Sequence, residues 1–178
     1  KILVTFAGPF LLANLLNNLY NMVDMIIIGH YVGSVGTVSV SMGGRLLTLF
    51  THLSTGLAGG GQVLISQQIG AKKKEELNST IGTLFTLLAA VSAALMVVSI
   101  ILSKNIIIWM NTPKEAEFSA WSYLVITSIG LPLIFGYNAI CAVLRGMGDS
   151  RRPLYFIAIA TAVNTVLDII FIVFFHLG

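Results

Sequence analysis

Apolar residues run along this chain in blocks too long for strands and too continuous for the helices of a water-soluble domain. A helix needs about 20 consecutive apolar residues to cross a bilayer. Five blocks reach that length, at roughly 2–29, 38–70, 77–103, 118–144 and 153–178. The pattern predicts an all-α, polytopic membrane bundle with five spans over 1–178. Polar or glycine-rich stretches separate the blocks: a predicted turn at 29–36, a charged block at 72–76, a loop at 104–117 and a basic loop at 145–152. Within the third of these, 106–110 reads as interfacial, with Trp109 at headgroup level. Pro9 and Pro132 lie inside blocks, where the missing N–H and the ring kink a helix. Gly56, Gly59, Gly60 and Gly61 predict close helix approach, with Gly56 and Gly60 as a small-xxx-small pair.

Composition supports the membrane class: 56% of the chain is hydrophobic and 10% charged, where soluble domains carry about 25% charged residues. The net charge of +3 is spread over short loops, so nucleic acid is not an expected partner; the lipid bilayer is. Lys1, Lys72, Lys73, Lys74, Arg145, Arg151 and Arg152 fall on one side of the predicted spans. Lys104 and Lys114 fall on the other, with Arg45 near that face. The positive-inside rule then places the N-terminus in the cytoplasm. Cys141 is the one cysteine, in an apolar stretch, and reads as packing. The chain opens on Lys1 and stops at the end of an apolar block, which predicts a fragment; the first block is too long for a signal peptide.

The informative residues are polar ones on apolar helices. Asn164 and Asp168 are four apart, so both lie on one face of the last span. A carboxylate there costs about 2.5 kcal/mol or more on insertion scales. Asn14, Asn17, Asn21 and Asp24 are spaced 3, 4 and 3 along the first span and also share a face, with Asn18 beside it. Amides in hydrocarbon would be left unpaired, so this stripe faces protein or water. It reads either as interhelical glue or as the lining of a cavity, and Asp24 favours the cavity because intramembrane acids mark ion or substrate paths. Asp168 lies sixteen residues beyond Arg152, about 24 Å at 1.5 Å per residue. Asp24 comes late in a span that rises from the same side, so the two acids are expected at similar depth. An acid beside an amide oxygen offers hard ligands for a small cation, or a site for a proton. Tyr137 and Asn138 follow Pro132 and are candidate cavity residues.

Gly146-Met147-Gly148-Asp149 matches the short GxGD pattern of intramembrane aspartyl proteases. Asp149, however, sits among Arg145, Arg151 and Arg152 in a predicted loop, on the wrong side from Asp24, and a protease dyad needs two adjacent carboxyls. No phosphate-binding loop, nucleophile elbow or zinc motif appears, so an enzyme with catalytic residues is not expected.

Four stretches carry a family resemblance: Leu19-Tyr20-Asn21-Met22-Val23-Asp24 with Ile28-Gly29, Ile65-Ser66-Gln67-Gln68-Ile69-Gly70-Ala71, Leu144-Arg145-Gly146-Met147-Gly148-Asp149-Ser150, and Asn164-Thr165-Val166-Leu167-Asp168. With these residues the chain resembles the multidrug and toxic compound extrusion (MATE) family. The resemblance implies twelve helices in two pseudo-symmetric six-helix lobes, of which this chain matches helices one to five of the N-terminal lobe. It implies an antiporter of the bacterial inner membrane that expels small organic, often cationic, compounds by alternating access, coupled to H⁺ or Na⁺. It assigns Asp24, Asn164 and Asp168 to the cation, as metal ligands if the ion is Na⁺, and no cofactor besides. Asn17, Asn21, Tyr137 and Asn138 are then expected to line the substrate cavity. The sixth helix and the second lobe are the implied partner, and without them the chain is not expected to transport. The alternatives are a polysaccharide or lipid flippase of the same superfamily and a non-transporting membrane module.

Overall fold

The computed structural model describes residues 33–168, 170 and 171, together with 8, 11, 12, 14–16, 18, 19, 22, 25, 26, 29 and 30. The side chains of 33–36 and of Asp168 lie outside that description. The described residues are helical apart from short connections, with no strand among them. The helices are α1 (Gly33–Gly70), α2 (Lys74–Ile101), α3 (Ser103–Trp109), α4 (Glu117–Ile129), α5 (Leu131–Gly146) and α6 (Arg151–Asp168), with a 3₁₀ turn at Lys114–Ala116. Before α1, the described positions are helical as well. Two compact units result, one of 1–38 with 149–178 and one of 39–148.

Within 39–148 the core forms where α1, α2 and α5 meet. It holds Ala58 and Ile65, Leu84 and Leu88, and Leu131, Phe135, Ala139, Ala142 and Val143. A satellite cluster of Ile107, Ala120 and Leu124 joins α3 to α4. Small residues let the helices approach. A Cβ on Gly61 would come within 2.7 Å of Leu84 Cδ1, and one on Gly146 within 2.8 Å of Ile65 Cγ2. A Cβ on Gly43 would collide with the Tyr123 ring. Gly56, Gly59 and Gly60 have nothing within 4 Å of such a Cβ. Among the described residues, α1 makes its close approaches at Gly43 and Gly61 and not at the predicted Gly56/Gly60 pair.

α2 is 28 residues long, about 42 Å at 1.5 Å per residue. Among the described residues it is the helix long and apolar enough to cross a membrane unaided. α4 and α5, with the 3₁₀ turn before them, meet the same test as a pair bent by 46°. Over the expected span at 118–144 the chain forms two helices joined at Gly130. Pro132 sits in the first turn of α5, where it lacks the N–H that would bond back to Ser128. The break falls just upstream of the proline, as that steric argument requires. Helix also covers 33–36, part of the predicted glycine-rich turn. The charged block at 72–76 divides: Lys72 takes a left-handed φ of 57° in the turn, while Glu75 and Glu76 enter the first turn of α2, where acids complement the helix dipole.

Hydroxyls on these apolar helices are mostly satisfied by their own backbone. Thr48, Thr51 and Thr55 donate to the carbonyls of Gly44, Leu47 and Thr51 at 2.8, 2.8 and 2.9 Å. Thr86 donates to Gly82 and Ser92 to Ala89, both at 2.9 Å.

Candidate functional site

Of the predicted cation residues, Asn164 and the Asp168 backbone are described, on the unit formed by 1–38 and 149–178. Its α6 starts on a cap. One Asp149 carboxylate oxygen accepts the backbone N–H groups of Arg151 and Arg152 at 3.0 and 3.1 Å. The other oxygen pairs with Arg152 Nε at 3.1 Å. Those N–H groups have no partner inside the helix, so the acid of the GxGD match works as a helix cap. Just before it, Gly148 takes φ +87°, a backbone conformation that ends α5 and suits glycine. The protease-like motif is a helix–turn–helix joint.

From that cap, α6 runs without interruption to Asp168, so Asn164 and Asp168 share a face one turn apart. Thr165 Oγ1 donates to the Thr161 carbonyl at 2.9 Å and is spent locally. Asn164 differs: its Oδ1 is buried and has no hydrogen-bond partner among the described residues. Buried acceptors are nearly always paired, and an exception calls for a bound water, an ion or a functional role. Gln68 Oε1 and Thr112 Oγ1 share this condition among the described residues. Of the three, only Asn164 has an acid one turn along its own helix.

Asp24, Asn17 and Asn21 lie outside the described residues, as does the Asp168 side chain. Asn14, from the same stripe, and Asn18 beside it are described and exposed. Among the described residues, no three His, Cys, Asp or Glu side chains come together. The donor set under consideration is carboxylate and amide oxygen, which suits a hard monovalent ion or a proton.

Tyr137 and Asn138 belong to the other unit. Tyr137 is 37% exposed. Asn138 Nδ2 donates to Ser54 Oγ at 3.1 Å, tying α5 to the fully buried Ser54 on α1. Its amide nitrogen is thus interhelical glue. Two more bonds follow along the same pair of helices. Arg145 Nε donates to Gln62 Oε1 at 3.1 Å, and the Ser66 hydroxyl is shared between the Gln62 carbonyl of its own helix at 2.9 Å and the Gly146 carbonyl at 3.1 Å. Sequence reasoning missed this polar ladder and assigned Arg145 to a loop, although it is the penultimate residue of α5. The available signal was the run of small or amide residues on α1, Ser54, Gln62 and Ser66, recurring at helical spacing.

A family model described as MatE matches residues 9–170. The probable multidrug resistance protein YpnP of Bacillus subtilis is 33% identical over 178 residues, covering all of this chain and 40% of that protein. The probable multidrug resistance protein YoeA of the same organism is 32% identical over 162 residues, 91% of this chain and 35% of that one. The solved outward-facing conformation of a multidrug resistance MATE family transporter of the MOP superfamily superposes with a TM-score of 0.94 at 24% identity, over 100% of this chain and 39% of that chain. A MOP superfamily transporter from Pyrococcus furiosus superposes with a TM-score of 0.91, also at 24% identity, over 97% of this chain and 38% of that one. The chain spans 35–40% of the length of these two Bacillus relatives.

Proposed function

The chain belongs to the MatE family of integral membrane transporters, and on that premise we propose that it supplies five helices of the first lobe of an exporter coupled to H⁺ or Na⁺. The exporter expels organic, often cationic, compounds by alternating access from the bacterial inner membrane, with this chain's N-terminus cytoplasmic. The remaining helix of the lobe and the second lobe complete it. Asp24, Asn164 and Asp168 hold the coupling ion. Asn17, Asn21 and Tyr137 face the substrate, and Asn138 combines that position with its bond to Ser54.

The observation that supports this reading is the buried Asn164 Oδ1, which has no partner among the described residues and lies one helical turn from Asp168. An amide oxygen in that state can ligate Na⁺, or can accept the hydrogen of a protonated carboxyl. In either case the loaded site is neutral or carries a compensated charge, and the unloaded site carries an exposed negative charge. A cationic substrate and the ion then compete for one carboxylate, and that competition is what exchange requires. The stripe from Asn14 to Asp24 supplies polar groups without fixed positive charge, as a path for cations needs.

The test replaces Asp168 by Asn in the intact transporter expressed in a drug-sensitive strain. Resistance is expected to fall to the empty-vector level while membrane expression stays at the wild-type level. Loss of the protein from the membrane would instead assign the acid to assembly, and unchanged resistance would refute its role in coupling.

A further inference from the structure

We infer that the groove between α3 and α4 is a binding site for the headgroup of a singly anionic glycerophospholipid, of the phosphatidylglycerol type. The inference rests on the membrane placement of the chain and not on what it transports. The groove lies where α2 ends and the bent pair of α4 and α5 begins. These are the two elements able to cross a bilayer among the described residues, so the groove sits at a membrane surface. It is at the opposite end of α2 from Lys72, Lys73 and Lys74, which lead into that helix. Its volume is about 550 Å³, inside the range of about 300–1,000 Å³ usual for small-molecule sites.

The lining has the composition of a lipid–water boundary. Ile107, Ile108, Phe118 and Trp121 form the walls, and Lys104, Lys114 and Glu117 stand around them. Ile107 is buried and anchors α3, while Ile108 beside it is exposed. Trp121 is fixed: its Nε1 donates to Ser103 Oγ at 2.9 Å, and its ring lies 6.0 Å from that of Phe118. Phe118 is 75% exposed and Trp109, at the end of α3, is 74% exposed. Both tryptophans of the chain therefore lie at this end, at the depth where indoles meet headgroups.

Charge selects the occupant. The ion pairs among the described residues are Lys73–Glu76 and Arg152–Asp149; neither groove lysine is engaged with Glu117. Two ammonium groups and one carboxylate leave the groove with one net positive charge. A headgroup with a single net negative charge balances it, whereas a zwitterionic phosphatidylethanolamine leaves it unbalanced. Lysine ammonium groups suit phosphate oxygens, and the exposed aromatic and isoleucine side chains suit the first methylenes of the acyl chains.

Native mass spectrometry of the intact, delipidated protein in detergent tests this, with phosphatidylglycerol, phosphatidylethanolamine and inorganic phosphate as probes. Phosphatidylglycerol is expected to bind about tenfold tighter than phosphatidylethanolamine, and K104Q/K114Q to lose roughly that factor, the size of one charge-assisted hydrogen bond. K72Q/K74Q, at the other end of α2, should leave the affinity unchanged. E117Q should raise it, a change in the direction that a folding defect cannot produce. Equal binding of the two lipids, wild-type binding by K104Q/K114Q, or weaker binding by E117Q would overturn the assignment. Displacement of phosphatidylglycerol by inorganic phosphate at similar concentration would assign a free anion instead and overturn it too.

Discussion

Replacing Gly146 by Ala perturbs the α1–α5 contact at its tightest described point. The added Cβ would stand 2.8 Å from Ile65 Cγ2 and 3.0 Å from both Ile65 Cβ and the Gln62 carbonyl oxygen, where ordinary contact begins at 3.4 Å. Two of those neighbours cannot swing away: the Gln62 carbonyl is backbone, and Ile65 is a fully buried β-branched residue in the core. The helices must therefore separate by about 0.6 Å, and overpacking of this kind costs about 1–3 kcal/mol. Separation also stretches the contact from Ser66 Oγ to the Gly146 carbonyl, a small further loss because the same hydroxyl keeps the Gln62 carbonyl at 2.9 Å. Gly60→Ala is the matched control. Nothing lies within 4 Å of its added Cβ, and alanine inside a helix gains about 0.5–1 kcal/mol over glycine. Cys141 provides the assay, because it is the one cysteine of the chain and is 1% exposed within α5. A thiol-reactive fluorophore reports its release on heating in detergent. At about 2–4 °C per kcal/mol, G146A should lower the midpoint by several degrees, and G60A should hold or raise it. A G146A midpoint at or above wild type, or an equal fall in both variants, would refute the packing argument.

Other substitutions probe the remaining joints. Asn138→Leu and Ser54→Ala, combined in a double-mutant cycle of thermal midpoints, should show a coupling of about 0.6–1.5 kcal/mol, as interhelical hydrogen bonds in membranes do; additive effects would mean that the bond carries nothing. Asp149→Ala removes the acceptor for two orphan N–H groups and should destabilise by about 0.5–2 kcal/mol, whereas Asp149→Asn should retain most of the stability. A catalytic acid would respond alike to both. Gly148→Ala forces a side chain into a φ of +87° and should cost about 1 kcal/mol or more, measured by the same thiol-release assay.

The helical character of the described blocks was legible because a long apolar run has few physical alternatives. Their ends were less so. The break near Pro132 was expected from the missing N–H, but its position at Gly130 depends on where the chain can absorb a 46° bend. The helix across 33–36 was hidden by glycines that read as a turn. The Gly56/Gly60 spacing identified a face of α1 without identifying its neighbour, and Gly61 and Gly146 make the contacts because Leu84 and Ile65 sit opposite them. At the candidate site, the pairing of Asn164 with Asp168 follows from a spacing of four on a helix. The burial of Asn164 Oδ1 without a partner could not, because burial depends on what packs around α6 and the sequence of one helix does not carry it. Asp24, Asn17 and Asn21 remain readings of their spacing alone.

Ion flux driven by substrate is the most direct test of the proposed cation site. The intact protein is reconstituted in liposomes holding a pH dye or a Na⁺ indicator, and a cationic substrate is added to one side. Wild type should move H⁺ or Na⁺ against the substrate, and Asn164→Leu, which removes the buried oxygen while filling its volume, should abolish that counter-movement as Asp168→Asn does. Full counter-movement in Asn164→Leu would contradict a role for that oxygen in holding the ion.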